Sequence, residues 1–87
     1  MHVAIHTAAV NGDVTSISND AAARVRMGFN PSKRVNADRM KALAAAFMTE
    51  CEIVRDAGGP GARDAAVAIT QMQGASMFAV AAATADL

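Results

Sequence analysis

Apolar positions recur with helical spacing over two long stretches of the chain. In the first, Met40, Ala44, Phe47, Cys51 and Val54 follow a 4-3-4-3 spacing, and Leu43 and Met48 widen the stripe. Asp38, Lys41, Thr49, Glu52 and Asp56 fall mainly on the other side, so the pattern predicts a helix over residues 36–57 with one buried face. Asn36 is placed to cap it, Asp38 sits where a carboxylate suits the positive helix end, and Pro31 lies upstream of its start. In the second stretch Ala65, Ile69, Met72, Ser76, Ala79 and Ala83 repeat the spacing and predict a helix over 62–85. Val67, Met77, Phe78 and Val80 lie off that stripe. A helix apolar on several faces needs more cover than one partner helix gives. Gly74, mid-helix, costs about 1 kcal/mol relative to Ala, which predicts close packing of another backbone there. Gly58-Gly59-Pro60-Gly61 separates the two stretches, and so short a connection implies an antiparallel helical hairpin.

The first 35 residues are mixed. Ser18-Asn19-Asp20 followed by Ala21–Met27 reads as a capped short helix over 19–27 that stops at Gly28. His2–Val10, Asn11-Gly12 and Asp13–Ser18 fit a β-hairpin turning at Asn-Gly, but Ala8-Ala9 makes a weak strand end, and residues 1–18 stay unassigned. The expected fold class is all-α: a short N-terminal helix plus a helical hairpin in one domain, 1–87.

Composition changes the meaning of the apolar stripes. Of the 87 residues, 53% are apolar, but 22 of those are alanine and there is no Trp or Tyr. Burying one methyl is worth about 0.8 kcal/mol, against about 1.5–3 for a Leu or Phe side chain. A chain this short is already marginal on surface-to-volume grounds. Small side chains on several helix faces therefore predict a compact homo-oligomer that completes its core between copies.

Charge and single residues exclude several classes. A net charge of zero gives no footprint for duplex DNA or RNA. One cysteine allows neither an intrachain disulfide nor a cysteine metal cluster. The start of the chain lacks the pattern of a signal peptide, and the apolar run Ala75–Ala85 is short for a membrane span, so a soluble, intracellular protein is expected. His2 and His6 are spaced as two helical metal ligands would be, without a third, and read better as exposed histidines. Cys51 lies in an apolar stripe and reads as a small buried hydrophobe. Glu50 and Glu52 diverge on a helix. No nucleophile–base pair and no phosphate-binding glycine loop stands out, so no enzyme, metal or cofactor is expected.

What remains is a basic patch around one aromatic residue. Five of the eight basic residues lie between Arg24 and Arg39, around Phe29, and Lys41 follows. An aromatic face beside cations suits a stacked base and a phosphate. The residues alone favour the plainer reading, in which Phe29 packs on the hairpin as a hydrophobic staple and the charges around it are solvated.

The order of short motifs resembles a bacteriophage family. Met27-Gly28-Phe29-Asn30-Pro31, Met40-Lys41 with the alanine run to Cys51, Pro60, Ala62-Arg63-Asp64, Ala68-Ile69-Thr70 and Met77-Phe78-Ala79 are similar to successive features of the phage anti-CBASS cyclic-nucleotide sponges. Their helical hairpin is shared with the Thoeris anti-defence sponges. The resemblance spans about residues 27–84. It implies an all-helical protomer in a homohexamer that sequesters cyclic oligonucleotide messengers, without cleaving them, in the cytoplasm of the infected bacterial host. It puts Phe29 at the base-stacking position, Lys41 at the phosphate position and Asn30 where a histidine is common. Arg63 is a further basic candidate for phosphate or for a subunit contact. With Lys33 and Arg39 from the basic patch, these residues form the expected site. A sponge for cyclic ADP-ribose isomers and a ligand-free structural hairpin are the competing readings.

Overall fold

The structure is a computed structural model that describes residues 1–87. Its elements in chain order are β1 (His2–His6), β2 (Asn11–Ser16), α1 (Asn19–Arg24), α2 (Val35–Asp56) and α3 (Ala62–Ala83). The all-α expectation is therefore corrected: the fold is mixed, 57% helix and 13% strand, with an antiparallel two-stranded sheet at its N-terminus.

The strands form because this segment carries turn chemistry at two places. The chain reverses at Thr7–Val10, where the Thr7 hydroxyl oxygen accepts from the backbone N–H of Ala9 (3.2 Å) and Val10 (3.0 Å). Asn11-Gly12, the expected turn, instead lies inside β2. Ile5 pairs with Asp13 and His6 with Asn11, so Gly12 is the extra residue of a β-bulge, and its φ of +81° suits glycine. Ala8-Ala9, which argued against a strand end, falls in the reversing loop. A two-stranded sheet is marginal alone. This one is anchored to α2: buried Thr15 donates to the Glu50 carboxylate (2.6 Å), and the N–H of Ser18 donates to the Thr49 hydroxyl (3.1 Å). On a strand, His2 and His6 are about 13 Å apart, too far to share a metal ion.

α1 starts as its sequence implies, with Ser18 accepting from the N–H of Ala21 (3.1 Å). It ends at Arg24, short of the expected Met27, in a turn through Arg26 at φ +53°. α2 begins at Val35 with Arg34 as cap residue and no side-chain cap, so the capping role expected of Asn36 is not realised. It ends where Gly58 takes φ +73° and donates its N–H to the Arg55 carbonyl (3.1 Å). α3 then folds back along α2, burying Ala65, Ile69, Ser76 and Ala83 of its expected stripe. Length and composition alone would let the 22-residue α3 cross a bilayer, although Ala75–Ala85 within and beyond it looked too short; here its Ile69 face packs on α2.

The buried side of α2 overlaps the expected stripe at Ala44 and Met48 but is turned toward its polar positions. Ala37, Lys41, Ala45, Met48, Thr49 and Glu52 are buried, while Leu43, Phe47 and Val54 stay exposed. The sheet and α1 cover the polar side, and its polar atoms are used by the covering segment: Thr49 holds Ser18, and Lys41 holds the loop after α1. Glu52 is the exception, since its Oε2 is buried without a hydrogen-bond partner. The core cluster is Ala21, Val25, Ala44, Ala45, Met48 and Ile69. Half of it is alanine, and Met48 and Ile69 are the only large side chains fully buried. The close packing expected at Gly74 is absent within the protomer: nothing lies within 4 Å of where a Cβ would stand.

Candidate functional site

The site is built where the loop between α1 and α2 crosses the open end of the helical hairpin. Two residues of that loop, Arg26 (φ +53°) and Lys33 (φ +57°), adopt the left-handed conformation that side chains other than glycine disfavour. Between them, Asn30 ties the loop together. Its amide donates to the Arg34 carbonyl (3.0 Å), and its Oδ1 accepts from the Ser32 hydroxyl (2.6 Å). Phe29 stands on this loop with 60% of its surface exposed.

Lys41 rises from α2 beneath the loop and is 5% exposed. Its Nζ donates to the carbonyl oxygens of Arg26 (3.0 Å) and Phe29 and lies 5.9 Å from the centre of the Phe29 ring. A lysine has three N–H donors, so one remains. Lys41 thus fixes the loop that carries Phe29 and stabilises the ring as a neighbouring cation.

Phe29 and Lys41 line two adjoining clefts, with Val80 of α3 shared between them. One, about 320 Å³, is also lined by Arg24, Arg26, Gln73 and Met77. The other, about 480 Å³, is also lined by Asn30, Ser32, Thr84 and Leu87. Both volumes lie in the range of small-molecule sites.

The expected site residues separate into two sets. Phe29, Asn30 and Lys41 meet at the clefts. Lys33 is on the same loop but exposed and lines neither. Arg39 points to a different depression, beside Met1, Met27 and Asp38, as a residue two positions from Lys41 on a helix must. Arg63 stands at the far end of α3, about 25 Å along the helix from Val80 at about 1.5 Å per residue, next to Asp64 (3.6 Å). Gln73, Ser76, Met77 and Val80 were not foreseen, because they come from α3, far along the chain. Hairpin symmetry carries the signal: counting equally outward from Gly59 sets Met77 opposite Lys41.

Electrostatics favour an anion here. Arg34, Arg55 and Arg63 are ion-paired, with Asp86, Asp56 and Asp64. The other five cations, Arg24, Arg26, Lys33, Arg39 and Lys41, have no carboxylate within ion-pair distance, and three of them line the Phe29 cleft. Elsewhere, burial first and the Glu50 carboxylate second push the Cys51 thiol up, which reduces its thiolate and hence its reactivity.

A family model described as the Acb2/Tad1 hairpin domain matches residues 19–84, about three quarters of the chain. The chain belongs to the Acb2/Tad1 hairpin family. This is the family of anti-CBASS and anti-Thoeris sponges, known for sequestering cyclic oligonucleotides. No curated protein and no solved structure matches the chain. The Acb2/Tad1 match takes in α1, the Phe29 loop, α2 and all of α3, and leaves out the β-hairpin. Everything that lines the Phe29 side of the clefts except Leu87 thus falls within the family domain.

The strained loop gives a test that separates stability from binding. Arg26→Gly relieves the left-handed strain of about 1 kcal/mol, partly offset by glycine's chain entropy, and removes one cleft cation. Unfolding measurements should show stability unchanged or raised, while anion affinity falls.

Proposed function

We propose that this chain binds cyclic di- or trinucleotide second messengers in the Phe29 clefts and holds them without cleaving them, in the cytoplasm of an infected bacterium, so that the CBASS effector is not activated. The observation that carries this is the exposed Phe29 ring among cations without carboxylate partners, at two clefts of ligand size. A base stacked on the ring is worth about 1–3 kcal/mol. Phosphate is taken by the surrounding cations, with the free N–H of Lys41 among the donors.

The test is calorimetry of the native chain and Phe29→Ala against cyclic di-GMP, cyclic GMP–AMP, cyclic tri-AMP and cyclic ADP-ribose. The native chain is expected to bind a cyclic di- or trinucleotide, and Phe29→Ala to weaken it about 10- to 100-fold. Preference for cyclic ADP-ribose would move the protein to the Thoeris branch. No binding by the native chain refutes the sponge reading and favours a structural hairpin.

The sponge acts as a homo-oligomer in this proposal, with the hexamer as the expected size. Leu43, Phe47, Met77 and Phe78 are exposed, and Met40, Leu43, Phe47 and Met72 line an apolar groove between α2 and α3. A second copy over that groove would cover Leu43 and Phe47, whereas Gly74, Met77 and Phe78 lie on other faces of α3, where a further copy of the oligomer would pack. Gly74→Leu is then expected to reduce the assembly to smaller species in native mass spectra. An unchanged mass would exclude close packing at that glycine.

A further inference from the structure

We propose that Arg24, held in place by Gln73, is the principal phosphate-binding group of the Phe29 cleft, and that Gln73 is its positioning residue; this rests on the sponge reading above. Of the five cations without a carboxylate partner, Lys41 is buried with two of its donors on backbone carbonyls. Lys33 and Arg39 lie outside the clefts. Arg26 lines the cleft, but its side chain makes no hydrogen bond that fixes it. Arg24 alone both lines the cleft and is oriented: its Nη1 donates to the Gln73 Oε1 at 3.0 Å, joining the last turn of α1 to the middle of α3.

The identity of the tether matters. An amide carbonyl orients the guanidinium without neutralising it, whereas a carboxylate would cancel the charge an anion needs. One of the five guanidinium donors is engaged, and four remain, enough for a bidentate grip on a phosphate oxygen pair. Holding the side chain in advance lowers the entropic cost of ordering it when ligand arrives. Phe29 lines the same cleft, so a base on the ring and its phosphate on Arg24 can belong to one ligand.

Calorimetry with the same four probes tests this on the full chain, using Arg24→Ala, Arg24→Lys, Gln73→Met, Gln73→Glu and the double variant Arg24→Ala/Gln73→Met. Arg24→Ala should weaken the best-bound probe about 10- to 100-fold, the loss expected for a charged hydrogen bond. Arg24→Lys should restore little of it, because the planar fork is lost. Gln73→Glu should weaken binding although it keeps the acceptor. Gln73→Met should weaken binding in the native background and have no further effect in the Arg24→Ala background, which a merely structural glutamine would not show. Native affinity in Arg24→Ala, with Phe29→Ala still impaired, overturns the assignment and leaves the sponge reading standing. Equal losses for Gln73→Met in both backgrounds overturn the positioning role. Failure of the native chain to bind any probe overturns both proposals.

Discussion

Met48→Ala is expected to destabilise the protein by about 3 kcal/mol, within the range for truncating a buried methionine. For a domain of this size that corresponds to a fall in Tm of roughly 12–24 °C. The loss is severe because the core has so little else. Met48 is fully buried among Ala21, Ala44, Ala45, Val25 and Ile69, and alanine neighbours have no longer side chain to swing into the cavity. The same position joins α1 to the hairpin, so the cavity would open beneath the segment that carries Phe29. Thermal unfolding by circular dichroism measures the effect. A drop of only a few degrees would mean that Met48 is not the centre of the core. By contrast, Leu43→Ala in an isolated protomer should have little effect, since Leu43 is 60% exposed.

Lys41→Met is expected to abolish detectable ligand binding and to cost about 2–3 kcal/mol of stability. Methionine keeps the buried length of the side chain and removes every donor. The carbonyls of Arg26 and Phe29 then lose their charged partner, and lost hydrogen bonds to a charged group cost about 1.5–3 kcal/mol each before water re-enters. The loop from Arg26 to Lys33, strained at both ends, would lose the side chain that holds it in place. Phe29→Ala should leave the fold intact, because its ring is 60% exposed. The pair separates two roles: a variant that loses the loop and a variant that loses only the ring. Native-like stability in Lys41→Met would show that the lysine does not hold the loop and acts on ligand alone.

The helical hairpin was legible from spacing and from the Gly/Pro turn, because both depend on local sequence. The Ile69 stripe of α3 was legible for the same reason. The buried side of α2 was legible only at Ala44 and Met48, because polar residues there are buried by using them: Lys41 and Thr49 each bond to a segment distant in sequence. A pattern of apolar positions cannot register a lysine buried against carbonyls. The β-hairpin was half legible. Asn-Gly pointed to a turn, but the Thr7 hydroxyl makes the turn four residues earlier and leaves Gly12 as a bulge. At the site, the Phe29 loop and Lys41 were within reach of the sequence, and Arg24 and Arg26 stood beside them. Arg39 and Arg63 were included on charge and resemblance, and helix geometry places both away from the clefts. The α3 wall was missed because it comes from hairpin register, which only the symmetry about Gly59 hints at.

Retention of an intact ligand is the most direct test of the proposed function. The native protein, in stoichiometric excess, is incubated with the cyclic di- or trinucleotide it binds best, and free ligand is removed by filtration. The protein is then heat-denatured, and the released ligand is identified by mass spectrometry. The expected result is near-complete depletion of ligand from the filtrate and its recovery, chemically unchanged, after denaturation, with Phe29→Ala retaining little. Recovery of linear or hydrolysed nucleotide, or free passage of the ligand through the filter, would contradict sequestration in the Phe29 clefts.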